Sequence, residues 1–384
     1  MAVYFNHRVS RTIEYAVSEP QPRAFHSRLP GYAPTPLHRL TSLAGKTGVA
    51  EILLKDESNR LGLPAFKILG SSWAIYRKLG AMLGGELEPW STIDDLAKLL
   101  APLRPLELIA ATEGNHGRSV ARVAALLGFR ARIFVPQGTV RDRIEAIEGE
   151  GASVTVVDGT YESAVQRAMD ETTTEGSLLI QDTGWPGYEE IPDWVVQGYA
   201  TMLHEIDDEL AAGDESPPNV VFVQIGVGSL ATAVISHYRR PGVESPPRIV
   251  GVEAVGATGA MESLKLGRPT EVPGPHQSIM VGLNCGSISG PAWPWLQRGL
   301  DAVVAVSDER AAEAMRALAA AGVRSGESGA AGLAGLIELL NGPDTSDARQ
   351  RLELGPSTRV LALSTEGITD RDNYDRIIRQ ISDR

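Results

Sequence analysis

The sequence predicts an α/β fold in which open, mostly parallel sheets are flanked by helices. Short β-branched runs alternate with Ala- and Leu-rich amphipathic stretches along most of the 384 residues, which is the pattern of successive β-α units. Several of the apolar runs lead directly into Gly- or Ser-rich loops. Because open α/β sheets bind their ligands at the C-terminal ends of strands, functional residues are expected in these loops.

The alternation assigns the elements in chain order. The predicted strands are the apolar runs at 51–55, 106–111, 131–135, 153–157, 178–181, 220–225, 248–253, 302–306 and 359–364. The predicted helices lie between them, at 66–79, 117–127, 140–148, 161–172, 197–209, 229–237, 308–321 and 330–340. The chain is long enough for two lobes, with boundaries expected near residues 80–105 and near 195.

The composition predicts a globular protein whose partners are small molecules. The content of 43% hydrophobic and 22% charged residues is that of a folded chain. The net charge of −12 argues against a nucleic-acid or anionic-membrane partner, because no basic surplus can neutralise phosphates. The single cysteine, Cys285, excludes an intrachain disulfide, and the seven histidines show no paired helical spacing, so no metal site is predicted. No secretory signal is recognisable, so a cytoplasmic location is expected.

A glycine loop follows the predicted strand at 220–225. Gly226, Gly228 and Ala231 have G-x-G-x-x-A spacing and precede a predicted helix, whose first N–H groups could bind a phosphate. Glu253 ends the next strand, about where a ribose-binding acid would lie in a dinucleotide fold. Taken alone, the motif leaves open a tight turn, a phosphate site of another kind and an NAD-binding oxidoreductase.

Lys67 is the candidate nucleophile. Its neighbours Phe66, Ile68 and Leu69 provide apolar surroundings, which disfavour the charged amine and make a lysine usable as a nucleophile or base. The alternative is a surface lysine that lays its aliphatic chain along an amphipathic helix.

Three more polar residues follow predicted strands. Asn115 lies in the loop TEGNHG after the strand at 106–111, where the next helix could hold a carboxylate at its N-terminus, although a capped turn explains the loop equally well. Thr365 follows the strand at 359–364, and its hydroxyl could bond a neutral ring nitrogen or cap a turn. Asp182 lies among aromatic residues and is either a functional acid or a turn aspartate.

In this order the segments resemble the fold-type II pyridoxal-phosphate enzymes, which are tryptophan synthase beta-like, and among them the diaminopropionate ammonia-lyase family. The resemblance covers about residues 30–375. It is carried by KDESNRLGLPAFKILG (55–70), ATEGNHGRSVA (111–121), QDTGWPGYEEIP with QGYATM (181–202), GVGSL (226–230), MVGLNCG (280–286), SGESGA (325–330) and STEGITD (364–370). The lysine helix and the asparagine and glycine loops point to the wider class, and the QDT and STEG segments point to the lyases.

The resemblance implies a two-lobed fold with pyridoxal 5'-phosphate in the cleft between the lobes. A large cofactor-binding domain would comprise residues 1–80 and 199–384, and a smaller domain with the asparagine loop would comprise 81–198. The implied reaction is β-elimination, which converts 2,3-diaminopropionate to pyruvate and ammonia through an aminoacrylate. The implied assembly is a cytoplasmic homodimer.

The family's residue roles carry over to single positions. Lys67 matches the lysine that holds the cofactor as a Schiff base and removes the α-proton of the L-substrate, and Asp182 matches an active-site acid near the substrate amines. The implied cofactor contacts are Asn115 at the ring hydroxyl, Gly226, Val227, Gly228, Ser229 and Leu230 at the phosphate, and Thr365, with Ser364 close behind, at the pyridine nitrogen. The implied substrate contacts are Ser71, Thr112, Gly114 and His116.

Two departures from the family pattern leave the substrate open. The family has Asp before Gly-Asn-His as the base proposed for the D-substrate, whereas this chain has Glu113. The additional methylene of Glu113 displaces the carboxylate, and a displacement of this size can lower the reaction rate by a large factor. The stretch CGSISG (285–290) also departs from the CGEPS-like family pattern. A dehydratase of the serine/threonine type and a β-replacement enzyme therefore remain alternatives.

Overall fold

The computed structural model describes residues 2–14, 22–85, 87, 89–172, 176–342 and 345–379. These residues fall into two units. The first unit contains the described residues within Met1–Glu19, Pro34–Asn59 and Met202–Arg384, and the second contains those within Pro20–Ala33 and Arg60–Thr201. Among the described residues, no helix combines the length and the apolar character needed to cross a membrane.

The described residues form strands and helices that alternate along the chain. The strands are β1 (Ala2–Phe5), β2 (Leu37–Arg39), β3 (Glu51–Asp56), β4 (Glu107–Ala111), β5 (Arg130–Pro136), β6 (Ser153–Val157), β7 (Ser177–Leu179), β8 (Val220–Gln224), β9 (Arg248–Ala254), β10 (Ala302–Val306) and β11 (Arg359–Ser364). The helices are α1 (Pro22–His26), α2 (Thr41–Thr47), α3 (Lys67–Met82), α4 (Ile93–Leu99), α5 (Asn115–Leu127), α6 (Arg141–Glu148), α7 (Tyr161–Glu171), α8 (Glu190–Ala212), α9 (Ser229–Tyr238), α10 (Gly259–Leu266), α11 (Trp293–Gly299), α12 (Asp308–Ala320), α13 (Ala331–Asn341), α14 (Ser346–Arg351) and α15 (Arg371–Arg379).

The first unit is built on a seven-stranded sheet of order β1-β10-β9-β8-β11-β3-β2. The five inner strands run parallel, and the short edge strands β1 and β2 pair antiparallel to them. All five residues of β8 are buried, as expected of a parallel strand covered on both faces. Helix α13 lies close against the sheet because Gly335 has no side chain there: a Cβ at this position would lie 2.5 Å from Val252.

The second unit contains a four-stranded parallel sheet of order β6-β5-β4-β7. Helix α5 packs closely on it through Gly117, where a Cβ would lie 2.4 Å from Thr112 and 2.6 Å from Ile133. The short loop between β4 and α5 is therefore drawn tightly against the C-terminal end of the sheet, where functional residues are expected.

All nine predicted strands and all eight predicted helices are confirmed, with differences at their ends. The edge strands β1 and β2 were not predicted, since strands of four and three residues show too little periodicity. Helix α8 begins at Glu190, seven positions before the predicted start at 197. Pro192 lies in the first turn of this helix, where its missing N–H has no helical partner to lose.

The two units differ from the predicted domains in where α3 belongs. The prediction placed residues 1–80 in the large domain, whereas the second unit includes Arg60 onward and hence all of α3. The reason is close helix packing within that unit. A Cβ on Gly198 of α8 would lie 2.3 Å from the carbonyl oxygen of Leu69, and a Cβ on Gly70 would lie 2.6 Å from Tyr199.

Candidate active site

Lys67, Asp182 and His116 form a polar cluster in the second unit. Nζ of Lys67, the first residue of α3, donates to Oδ2 of Asp182 at 2.5 Å. Nδ1 of His116 lies 3.8 Å from the same oxygen. The other ring nitrogen of His116, Nε2, donates to the carbonyl oxygen of Ile180 at 2.8 Å. In the neutral ring, Nδ1 therefore carries the lone pair and faces Asp182.

The carboxyl group of Asp182 is ionised in this cluster. Its burial favours the neutral acid, but the positive charges that His116 and Lys67 can carry, together with the hydrogen bond from Lys67, outweigh burial and hold the pKa of Asp182 below its ordinary value. Burial lowers the pKa of His116, against the attraction of Asp182, so the imidazole is neutral at neutral pH. Lys67 and Asp182 consequently form a partly buried ion pair beside a neutral histidine.

Gln181 and Tyr188 position Asp182. The side chain of Gln181 donates to the carbonyl oxygen of Ala111 and accepts from its N–H, both at 3.1 Å. The Tyr188 hydroxyl accepts from the Gln181 N–H and donates to the carbonyl oxygen of Leu179, both at 2.9 Å. The segment after β7 is thereby tied to Ala111, the last residue of β4, through the Gln181 side chain. Neither residue was predicted to matter; the signal is a glutamine and a tyrosine flanking the acid in QDTGWPGY.

The asparagine loop is shaped by Thr112 and Gly114. The hydroxyl of Thr112 accepts from the Gly114 N–H at 2.9 Å. Gly114 has φ 155° and ψ −84°, which a residue with a side chain rarely adopts, and it caps α5. Asn115 and His116 are consequently the first two residues of that helix. Its N–H groups open toward the loop and suit a carboxylate, as the sequence predicts.

Glu113 is half-buried in the same loop. Burial raises the pKa of its carboxyl group to about 8, Glu162 adds to the rise, and Arg143 opposes it. The guanidinium of Arg143 also donates to the carbonyl oxygen of Glu113 at 3.4 Å. At neutral pH the side chain is therefore mostly a neutral acid and a poor base.

Ser71 and Tyr199 add two buried hydroxyls next to this cluster. Ser71 lies one turn after Lys67, on the same face of α3. Tyr199, from α8, packs its ring on Phe66 with the centroids 4.6 Å apart, and burial raises the pKa of its phenol, which stays neutral. Neither hydroxyl has a hydrogen-bond partner among the described residues. Tyr199 lies close enough for Lys67 and Asp182 to influence its pKa. It was not predicted.

The glycine loop of the first unit makes a cradle at the start of α9. A Cβ on Gly226 would lie 2.7 Å from the carbonyl oxygen of Gly282, and one on Gly228 would lie 3.0 Å from Ala292. Gly228 has φ 101° and caps the helix, so that Ser229 and Leu230 are its first residues, both buried. The backbone of the loop therefore packs closely against Gly282 and Ala292, and the turn leads directly into the first N–H groups of α9, which can bind an anion.

The same loop is held in place through Val227, whose carbonyl oxygen accepts from the N–H of Ser289 at 2.8 Å. The predicted stretch Gly226–Leu230 is thereby brought together as one turn.

Thr365 lies at the end of β11, buried and bonded to Gln224 of β8. Nε2 of Gln224 donates to Oγ1 of Thr365 at 2.8 Å, which leaves the threonine hydroxyl proton to donate elsewhere. Ser364, the neighbouring candidate, instead donates to Oγ of Ser325 at 2.9 Å. Thr365 therefore has a hydroxyl proton available for a further acceptor, whereas the hydroxyl proton of Ser364 is used within the protein. Gln224 was missed by the sequence analysis; the signal is a polar residue that ends an otherwise apolar strand.

Glu253, the candidate ribose-binding acid, caps a helix. Its carboxyl oxygens accept from the N–H groups of Ala260 at 2.7 Å and Met261 at 2.9 Å, in the first turn of α10. Burial raises its pKa to about 8. These two bonds give Glu253 a structural role at the start of α10 that needs no nucleotide. The prediction that Glu253 is a ribose-binding acid is therefore corrected.

Residues 28–366 match the family of pyridoxal-phosphate-dependent enzymes. The diaminopropionate ammonia-lyase of Salmonella typhimurium is 38% identical over 364 residues, which cover 92% of this chain and 90% of that protein. The chain belongs to the diaminopropionate ammonia-lyase family of pyridoxal-phosphate-dependent enzymes. It is a pyridoxal-phosphate-dependent lyase, as the sequence predicts.

Solved structures of the family agree with this assignment. The Escherichia coli diaminopropionate ammonia-lyase in complex with D-serine superposes with a TM-score of 0.90 at 32% identity, covering 99% of this chain and 97% of that one. The same enzyme in complex with an aminoacrylate-PLP azomethine reaction intermediate gives a TM-score of 0.89 with the same identity and coverage. The predicted fold-type II class and the predicted cofactor are confirmed.

The residues of this family member fit pyridoxal 5'-phosphate. Gly226 and Gly228 let the turn before α9 pack against Gly282 and Ala292, where a Cβ would not fit, and the N–H groups at the start of α9 suit a phosphate. Thr365 has a hydroxyl proton to donate because Gln224 donates to it. Lys67 supplies an amine that is one-quarter exposed. Each of these observations matches one functional group of the cofactor.

Proposed function

We propose that this enzyme is a diaminopropionate ammonia-lyase, which converts 2,3-diaminopropionate and water to pyruvate and two molecules of ammonia. The observation that carries the proposal is the contact of Lys67 with ionised Asp182 at 2.5 Å. A substrate with two amino groups presents a second cation next to the reacting one. A carboxylate beside the reactive lysine suits that cation, whereas a hydroxy amino acid has nothing to pair with it.

Pyridoxal 5'-phosphate, when bound, supplies an electron sink for the carbanion formed at Cα. Lys67 would hold the cofactor and, once the substrate amine displaces it, take the proton from Cα. Asp182 would hold the β-ammonium group of the substrate. The N-terminus of α5, with Thr112 and Gly114, would orient the carboxylate.

The protons of the elimination balance without an additional acid when the Cα proton and the β-amine are both lost. The β-nitrogen carries its proton as an ammonium ion when it lies against Asp182, so it leaves as neutral ammonia when the Cβ–N bond breaks. The proton from Cα stays on Lys67. Neutral His116 keeps a lone pair toward Asp182 and does not compete for the substrate's cation.

The remaining predicted contacts orient the cofactor. Asn115 would bond its ring hydroxyl, the turn Gly226–Leu230 its phosphate, and Thr365 its ring nitrogen. A hydroxyl at that nitrogen, rather than a cation or an acid, leaves the ring a milder electron sink. This suits elimination, because the departing amine quickly discharges the carbanion.

The test is the release of pyruvate and ammonia by the holoenzyme from L- and D-2,3-diaminopropionate, with L-serine, L-threonine and D-serine alongside. We expect two ammonia per pyruvate from diaminopropionate and little keto acid from the hydroxy amino acids. Lys67→Ala is expected to abolish turnover, while Lys78→Ala, which removes a half-buried lysine from the same helix, retains it.

Other outcomes would overturn the proposal in recognisable ways. Faster keto acid release from serine or threonine would identify a dehydratase. No keto acid from any of these substrates would point to β-replacement. Borohydride reduction that attached the cofactor to a residue other than Lys67 would remove the lysine assignment.

The proposal includes a homodimer that acts in the cytoplasm, an expectation supported by the family resemblance. Sedimentation equilibrium and cell fractionation test the two statements separately.

A further inference from the structure

Two histidines and an aspartate, none of which was assigned a role above, converge in the first unit. His204 and Asp207 lie on successive turns of α8, and His237 lies near the end of α9. One ligand atom from each lies within 4.8 Å of the others. The rings of His204 and His237 are 5.3 Å apart, with an angle of 77° between their planes.

His237 is the buried member of this cluster. Its side chain is 3% exposed, and its Nε2 lies 2.9 Å from Oδ2 of Asp207. Despite this distance, Nε2 makes no hydrogen bond of acceptable geometry within the described part of the chain. Burying such an atom without a partner is unfavourable. Nε2 of His237 and Oδ2 of Asp207 are therefore close enough to become ligands of one ion after a small outward movement, since the ligand atoms of a tetrahedral Zn²⁺ site lie roughly 3.3 Å apart.

The charges and access around the cluster are compatible with a cation. Arg240 lies 3.6 Å from Asp207 and is 45% exposed, so it can turn into solvent. His204 is exposed and gives an ion a route in.

We propose that His204, Asp207 and His237 bind a divalent transition-metal ion such as Zn²⁺. Two imidazoles and one carboxylate select such ions over Mg²⁺ and Ca²⁺, which prefer oxygen ligands. Three protein ligands leave a fourth position for water. Tetrahedral Zn²⁺ holds its ligand atoms about 2.0–2.2 Å away and hence roughly 3.3 Å apart, so a rotation of exposed His204 completes the site.

The bound ion would fasten α8 to α9. The last residues of α9 would then be held by the metal, while its first residues form the glycine turn at Gly228 and Ser229. Because an ion that binds only the folded state stabilises it, the expected effect is on stability and not on the chemical step. The sequence analysis predicted no metal site, since His237 is 33 positions from His204 and only the paired helices bring them together.

The experiment measures Zn²⁺ binding to the EDTA-treated holoenzyme by equilibrium dialysis, with the melting temperature recorded in parallel. The variants are His204→Ala, whose exposed side chain can be removed without unfolding the chain, and Asp207→Asn. His7→Ala removes another exposed histidine and serves as the control. We expect one Zn²⁺ per chain and a raised melting temperature for the unaltered enzyme and for His7→Ala.

His204→Ala and Asp207→Asn are each expected to weaken binding at least about tenfold, since even groups that only orient ligands contribute that much. Their melting temperatures without metal should match the control. Co²⁺ is expected to give a visible absorption typical of tetrahedral sites in the unaltered enzyme only. Unchanged Zn²⁺ affinity in His204→Ala, or no binding by the unaltered enzyme, would overturn the proposal.

Discussion

Nζ of Lys67 lies 2.5 Å from Oδ2 of Asp182, although the two residues are 115 positions apart in the chain. Both belong to the second unit, where α3 begins at Lys67 and the bonds of Gln181 hold the segment that carries Asp182. The lysine amine must give up this contact before it can react. The same carboxylate is then free for a cation of the substrate, which links the resting geometry to the proposed specificity.

Asp182→Asn tests this link. A charged hydrogen bond contributes about 1.5–3 kcal/mol, so kcat/KM for L-2,3-diaminopropionate is expected to fall about 10- to 100-fold. Cofactor absorbance is expected to remain, because Asp182 is not assigned to the cofactor. Asp193→Asn, which neutralises a half-buried acid of α8, is the matched control and should retain activity. Equal losses in both variants would show that Asp182 has no specific role.

The role of Glu113 is open to a pH experiment. Its pKa is raised to about 8, so the side chain is a neutral acid below that pH and a carboxylate above it. If Glu113 is the base for the D-isomer, the ratio of D- to L-diaminopropionate turnover rises as the pH increases through about 8. Glu113→Gln should abolish the rise.

Glu162→Gln supplies the control, because Glu162 contributes to the raised pKa of Glu113. In Glu162→Gln the ratio of D- to L-diaminopropionate turnover is still expected to rise with pH, but the midpoint of that rise should lie at a slightly lower pH. A ratio that is constant with pH in the unaltered enzyme would exclude Glu113 as the base.

Tyr199→Phe separates a functional hydroxyl from a structural one. The Tyr199 hydroxyl is buried without a hydrogen-bond partner among the described residues, so its removal should leave the free energy of unfolding unchanged or increase it by about 1 kcal/mol. Since Lys67 and Asp182 influence its pKa, we expect a lower kcat and an altered pH profile of kcat. Tyr238→Phe removes an equally buried hydroxyl of the first unit. This control should leave kcat and its pH profile unchanged. A pH profile for Tyr199→Phe identical to that of the control would contradict the expectation.

Thr365→Val and Ser364→Ala distinguish the two candidates for the ring nitrogen. The Thr365 hydroxyl accepts from Gln224 and has its proton to donate, whereas Ser364 donates to Ser325. Loss of one hydrogen bond costs about 1 kcal/mol, so Thr365→Val should lower kcat/KM about fivefold and shift the cofactor absorbance. Ser364→Ala should affect stability only. The reverse result would move the assignment to Ser364.

The sequence by itself determined the local elements and the motifs. The apolar periodicity located nine strands and eight helices, and the G-x-G-x-x-A spacing predicted a turn at Gly228, whose φ is positive in the structure. Lys67, Asn115 and the glycine turn were identifiable because each lies in a short segment with a characteristic pattern. Local patterns depend on neighbouring residues, and these are what a sequence displays.

Only the tertiary structure decided which distant groups meet. Gln224 reaches Thr365 across 141 positions, and Gly70 and Gly198 let α3 and α8 approach until Tyr199 lies beside Lys67. His204, Asp207 and His237 likewise converge only when α8 and α9 pack. The physical reason is that hydrogen bonds and burial depend on distances in space. The raised pKa of Glu113 and the lowered pKa of Asp182 therefore appear only when the chain has folded around them.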